Sequence, residues 1–83
     1  RGEMTMWSNG RIFTAQTKAG YEYWCKYYDE PSQFGINGGK ISKLTIRRVP
    51  DGKELYNYDR GLDFDILDEN GKGAYLIILT RYN

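Results

Sequence analysis

Asp68-Glu69-Asn70-Gly71-Lys72-Gly73-Ala74-Tyr75-Leu76-Ile77-Ile78-Leu79-Thr80-Arg81-Tyr82 is the stretch on which the fold turns. Read as a helix, it makes the domain α+β; read as a strand, it makes the domain all-β. Tyr75, Ile78, Leu79 and Tyr82 fall at i, i+3, i+4 and i+7, a helical stripe. Asp68 suits the N-cap, Glu69 the positive end of the helix dipole and Arg81 the negative end. Against the helix, Gly71 and Gly73 each cost about 1 kcal/mol in a helix interior. The run Ala74 to Leu79 also fits a strand buried on both faces. The stripe and the cap favour a helix.

Upstream the pattern is period two. Tyr21, Tyr23, Cys25 and Tyr27 alternate with Glu22, Trp24, Lys26 and Tyr28, which places the first set on the inner face of a strand over 21–28. Trp24 and Tyr28 then lie on the more polar face, where something else can cover them. A first strand is expected from about Met6 to Thr17, joined through a turn at Lys18-Ala19-Gly20; Asn9-Gly10 is a competing turn or bulge signal. A third strand is expected from Lys40 to Val49, with Leu44 and Ile46 on one side and Lys43, Thr45 and Arg47 on the other. Pro50-Asp51-Gly52-Lys53 is a turn, because Pro presets φ and Gly supplies positive φ. A fourth strand spans Glu54 to Asp59. Leu62, Phe64 and Ile66 alternate with Asp63 and Asp65 as a short edge strand or an extended lead-in to the tail. The expected fold is a twisted antiparallel sheet of four main strands with the C-terminal helix across one face.

The chain has 83 residues and reads as one domain with a thin core, so a homodimer is one way to hide more apolar surface. Arg1-Gly2-Glu3 stands ahead of Met4 and Met6, and residues 1–5 are expected to be disordered or foreign to the domain. Twelve Lys and Arg against eleven Asp and Glu give no strong long-range pull toward DNA or an acidic membrane. No stretch approaches the roughly 20 apolar residues that cross a bilayer. The lone Cys25 cannot make an internal disulfide, which points to a reducing compartment, and the expected location is the cytoplasm. There is no His, so a Cys–His pair within the chain is impossible. No metal-ligand cluster or cofactor motif is visible, and no catalytic residue is assigned.

The segment Asp29-Glu30-Pro31-Ser32-Gln33-Phe34-Gly35-Ile36-Asn37-Gly38-Gly39 is a loop by its Gly, Pro and Asn-Gly content. It is long for a compact domain, and such loops are often functional. Gly35 to Lys40 has the look of a phosphate-binding loop, but only three residues separate Gly35 from Gly39, Ile41 follows the Lys, and a strand follows where a helix is needed. An anion nest of backbone amides is a weaker version of the same idea. Asp59, Asp63, Asp65 and Asp68 form an acidic cluster without EF-hand spacing, and the better reading is a solvated polar face.

The run Gly20-Tyr21-x-Tyr23-x-Cys25-Lys26-Tyr27-x-Asp29-Glu30-Pro31-Ser32-x-Phe34-Gly35-Ile36-Asn37-Gly38-Gly39-Lys40-Ile41-Ser42-Lys43-Leu44-x-Ile46, with Asn57-Tyr58-Asp59-Arg60-Gly61 beyond it, resembles a family of small uncharacterised proteins of Gram-positive bacteria and their phages. The resemblance covers about half the chain and implies a bacterial or phage setting, but no activity. In that family the tail is a polar helix rich in Glu and Lys; here it is more apolar.

The expected function is that of a non-enzymatic interaction module. Its partner is expected to be another protein, perceived through the 29–40 loop, or a second copy of itself. Phe34 and Ile36 are the candidate anchors. Asp29, Glu30, Lys40 and Lys43 are the charged rim, and Gly35, Asn37, Gly38 and Gly39 shape the backbone between them. The opposing reading makes Phe34 and Ile36 a plug that closes the core. The alternative function is single-stranded nucleic-acid or nucleotide binding, with Lys43, Arg47 and Arg48 beside aromatics on a sheet face.

Overall fold

The computed structural model describes residues 5–14, 17–33, 35–49 and 51–83, and the side chains of all of these but 14 and 17–19. Five strands follow one another in space as in sequence: β1 (Thr5–Thr14), β2 (Thr17–Tyr28), β3 (Ile41–Arg48), β4 (Glu54–Asp59) and β5 (Leu62–Asp65). Every neighbouring pair is antiparallel. The helix α1 (Glu69–Tyr82) closes the chain and packs across β1, β2 and β3. The sheet therefore has five strands, not the expected four. Leu62–Asp65 is long enough to pair with β4, and that pairing makes it a strand rather than a lead-in. No helix among the described residues is long and apolar enough to cross a membrane.

The helix at the tail starts from a side-chain cap. Asp68 is extended (φ −77°, ψ 179°), and its carboxylate accepts the Gly71 amide at 2.7 Å. The same carboxylate accepts the Tyr21 hydroxyl at 2.7 Å and meets Arg48 at 3.5 Å, so the cap is pinned to the sheet. Ala74 and Ile78 are buried, with Tyr75, Leu79 and Tyr82 packed beside them. Packing on one apolar stripe outweighs the two glycines, because most helical stability in a protein comes from tertiary burial. Gly71 is itself buried, where a Cβ would crowd the Asp68 carboxylate and Leu67.

The expected alternation of the second strand is observed: Tyr21, Tyr23 and Cys25 are buried under α1. The first turn is misplaced in the sequence reading. Thr14 pairs with Thr17, so Lys18-Ala19-Gly20 lies within β2 as an irregularity and not as the hairpin turn. Gly20 is the reason the signal misleads: its φ of +81° is a turn-like conformation used inside a strand, and a Cβ there would stand 2.6 Å from the Ile12 carbonyl oxygen. Asn9-Gly10 is neither turn nor bulge; both residues stay in register, and Gly10 leaves room for the Tyr23 ring.

Single-residue bulges set what faces the core. Ser42 is the extra residue between β2 and β3, so Ile41 turns inward with Leu44 and Ile46. Leu55 is the extra residue between β3 and β4, and both Leu55 and Tyr56 are buried. Asp63 is the extra residue on β5, which separates Leu62, opposite Tyr58, from Phe64, opposite Asn57. The turn after β3 follows expectation at Gly52 (φ +72°), with the Gly52 amide on the Arg48 carbonyl at 2.7 Å. Residues 1–4 of the expected lead, like Pro50, lie outside the described residues, and Thr5 pairs with Tyr28.

Candidate functional site

The 29–40 loop is held from within. Gly35 N–H donates to the Ser32 carbonyl, Gly38 N–H to Gly35, and Gly39 N–H to Ile36, at 2.9–3.0 Å. A short 3-10 turn covers Ile36–Gly38, with Asn37 (φ +54°) and Gly38 (φ +71°) left-handed. A Cβ on Gly35 would overlap the Gly39 carbonyl, and one on Gly39 would overlap the Asn83 carboxamide. That carboxamide donates to the Ile36 carbonyl and accepts the Ile41 amide, both at 3.0 Å. The amides of Gly35, Gly38 and Gly39 are thus engaged inside the loop and do not converge on an anion.

Of the loop's candidate residues, Gly35 and Ile36 are buried and Ile36 belongs to the core. Asp29, Glu30, Asn37 and Gly38 are exposed, and Gly39, Lys40 and Lys43 are half-buried. Phe34 lies outside the described residues. Lys43 does not join the loop rim; it stands on the helix-free face of the sheet, opposite Lys26 on β2 and Asp59 on β4.

The acidic cluster is dispersed among separate tasks. Asp59 faces Lys43 at 3.9 Å, Asp63 accepts from the Asn57 amide at 3.0 Å, Asp65 accepts the Leu67 N–H at 3.1 Å, and Asp68 caps α1. Among the described residues no group of His, Cys, Asp or Glu is placed to hold a metal ion. Burial raises the Asp68 carboxyl, but the Tyr21 hydroxyl, the Gly71 amide and Arg48 together hold it below the usual carboxylate range. Burial pushes the Cys25 thiol up to about 11 and the Tyr21 phenol up to about 12, the latter aided by Asp68, and it raises Tyr56 as well. Each of these potential nucleophiles is held in its inert protonated form.

The helix leaves the other face of the sheet open. Trp7 and Phe13 of β1 and Trp24 of β2 are exposed there (65%, 60% and 40%), with Tyr28 half-buried beside them. Register places Trp7 opposite Lys26 and Trp24 opposite Thr45. The guanidinium of Arg47 lies 4.6 Å from the Trp24 ring centre, and the Lys26 ammonium lies 5.7 Å from the ring centres of both Trp7 and Tyr28. Glu22 sits between Arg11 (3.0 Å) and Arg47 (3.6 Å) and fixes both. Among the described side chains on this face, β1–β3 carry Arg11, Lys26, Lys43 and Arg47 against the one carboxylate Glu22. Two surface cavities of about 390 Å³ each open here, one at Asn9, Arg11, Glu22 and Trp24, the other at Lys26, Ser42, Lys43, Asp59 and Arg60. Flat π-faces interleaved with fixed cations can stack planar groups and hold the anions that link them.

Sequence reading placed Trp24 and Lys26 together on the outer face of the second strand, and Lys43 and Arg47 on one side of the third, but missed Trp7 and Arg11 as their companions. Period two carried through Thr5, Trp7, Asn9, Arg11 and Phe13 would have found the β1 members. Arg48, grouped with them in sequence, pairs across from Tyr21 on the helix side and meets Asp51 at 2.8 Å.

A family model described as a domain of unknown function, DUF7678, matches residues 6–83. No curated protein and no solved structure matches the chain.

Proposed function

The chain belongs to the DUF7678 family, a domain of unknown function, and we propose that it is a non-catalytic binding domain whose open sheet face takes single-stranded nucleic acid. One observation carries this reading: exposed Trp7 and Trp24 share a face with four cations, two of which already lie against aromatic rings. Stacking on aromatics is tolerant of sequence and contributes about 1–3 kcal/mol per base. A non-catalytic role is supported by the burial of Cys25 and by the dispersal of Asp59, Asp63, Asp65 and Asp68 among separate structural contacts. The overall balance of charge predicts modest affinity, since the cations of β1–β3 are partly offset by Glu54 and Asp59 on β4.

The chain's two tryptophans both stand on this face, so intrinsic fluorescence reports occupancy. Titration with a short oligothymidylate should quench it. Log affinity should fall against log salt with a slope of about −2 to −3, for three or four phosphates neutralised on a single strand. Trp7→Ala and Trp24→Ala should each weaken binding with little change in melting. Absence of salt-dependent quenching overturns the proposal and leaves a protein partner, at the 29–40 loop or as a second copy, as the reading to pursue.

A further inference from the structure

The β2–β3 register sets Lys26 directly opposite Lys43 on the open face. Like charges directly opposite on a sheet are destabilising, so the pair calls for a counter-charge. Asp59 supplies little of one: it reaches Lys43 only at 3.9 Å, and both side chains are well exposed, where solvent screens the attraction. A third cation is brought to the same cavity. Arg60, in the short connection between β4 and β5, adopts a left-handed backbone (φ +61°), a conformation that non-glycine residues seldom take. Its amide is tied to the carbonyl of the bulged Ser42 at 2.9 Å, which fixes the turn beside the two lysines. The Ser42 hydroxyl in turn donates to the Lys26 carbonyl at 3.4 Å. Lys26, Lys43 and Arg60 thus line a cavity of about 390 Å³ with Asp59 as the one acidic side chain lining it.

From this juxtaposition we propose that Lys26, Lys43 and Arg60 form a seat for a phosphate group. It deepens the single-strand reading and rests on it for the ligand's identity: a phosphodiester held here leaves its base beside Trp7, whose ring the Lys26 ammonium already approaches. The chemistry shared with a free phosphate or a phosphorylated small molecule is the tetrahedral dianion or monoanion itself. A planar multidentate arrangement is unnecessary, because lysine acts on phosphate as a point charge.

The test uses the whole chain, 15N-labelled, titrated with inorganic phosphate against chloride at constant ionic strength. Expected are saturable amide shifts confined to Lys26, Ser42, Lys43 and Asp59 to Gly61, lost in Lys26→Gln/Lys43→Gln. In the second arm the same double variant should weaken oligothymidylate at least about tenfold, as expected for losing charge-assisted bonds, and should flatten the salt slope by about 0.7 per phosphate released. Lys53→Gln, a substitution in the exposed turn before β4, should do neither. Phosphate binding without oligonucleotide binding upholds the seat, overturns the single-strand reading and assigns a phosphorylated small molecule. Oligonucleotide binding that the double variant weakens no more than Lys53→Gln, with no phosphate shifts, overturns the seat and leaves the single-strand reading standing.

Discussion

Replacing Asn83 by Ala should unlock the 29–40 loop from the end of the helix. The Asn83 carboxamide makes two bonds at 3.0 Å, donating from Nδ2 to the Ile36 carbonyl and accepting at Oδ1 from the Ile41 amide. The Ile36 carbonyl keeps a second partner, the Gly39 amide at 2.9 Å, so its loss is that of one ordinary bond, about 1 kcal/mol. Ile41 is fully buried. Its amide, deprived of Oδ1, carries the desolvation penalty of an unmade donor, about 1–3 kcal/mol. The sum is about 2–4 kcal/mol, and in a domain of this size it lowers Tm by about 8–32 °C. Asn83→Asp separates the two bonds. It keeps the acceptor for Ile41 but turns a second carboxylate oxygen toward the Ile36 carbonyl. That contact favours the protonated acid, so the folded-state pKa of the new group is raised and its stability is regained as pH falls below it. Thermal melts of both variants, with hydrogen exchange at the Ile41 amide, read the outcome. If Asn83→Ala melts within a few degrees of the parent and Ile41 stays protected, the lock between loop and helix is refuted.

Tyr21→Phe removes the 2.7 Å bond to Asp68 and should cost about 1 kcal/mol at neutral pH, less than the roughly 1.5–3 kcal/mol of a buried bond to a charged group because the carboxylate is 42% exposed. Asp68 is held below the ordinary range, so its contribution is present above the unfolded carboxyl's pKa and lost as pH falls through the folded one. The variant's stability should therefore decline less steeply in acid than the parent's, and parallel curves in denaturant titrations from pH 6 to 2 would count against the assignment. At the alkaline end the sign reverses. Cys25 and Tyr21 ionise at higher pH folded than unfolded, so their contribution is complete below the unfolded values and is lost as pH rises from about 9 toward 12. Iodoacetamide should modify Cys25 at pH 8 only at the rate of unfolding; modification of the native protein at the rate of a free thiol would contradict its burial.

Strands with strict alternation were legible because period two is a property of the local backbone. Tyr21, Tyr23 and Cys25 could be assigned inward without knowing what they pack against. The cap at Asp68 was legible for the same reason: a carboxylate three residues from the amide it accepts needs only local geometry. The loop's glycines were visible as loop residues, but their causes were not. Gly35 is required by Gly39 four residues on, and Gly39 by Asn83, a residue more than forty positions away. The lock at Asn83 carries no local signal at all.

Most of the elements and their inner faces could be read from the chain, since helix caps, turn residues and periodicity act over a few neighbouring positions. Which faces remain open, and which charges meet on them, follows from how the strands pair and where the helix packs. The bulges at Ser42, Leu55 and Asp63 each shift one strand by a residue against its neighbour, and a one-residue shift exchanges the two faces of a strand. Only once those registers are set does Lys26 stand opposite Lys43, with Trp7 beside them and Arg60 at the turn. Cross-strand neighbours are determined by pairing, and pairing is an energy of the whole sheet.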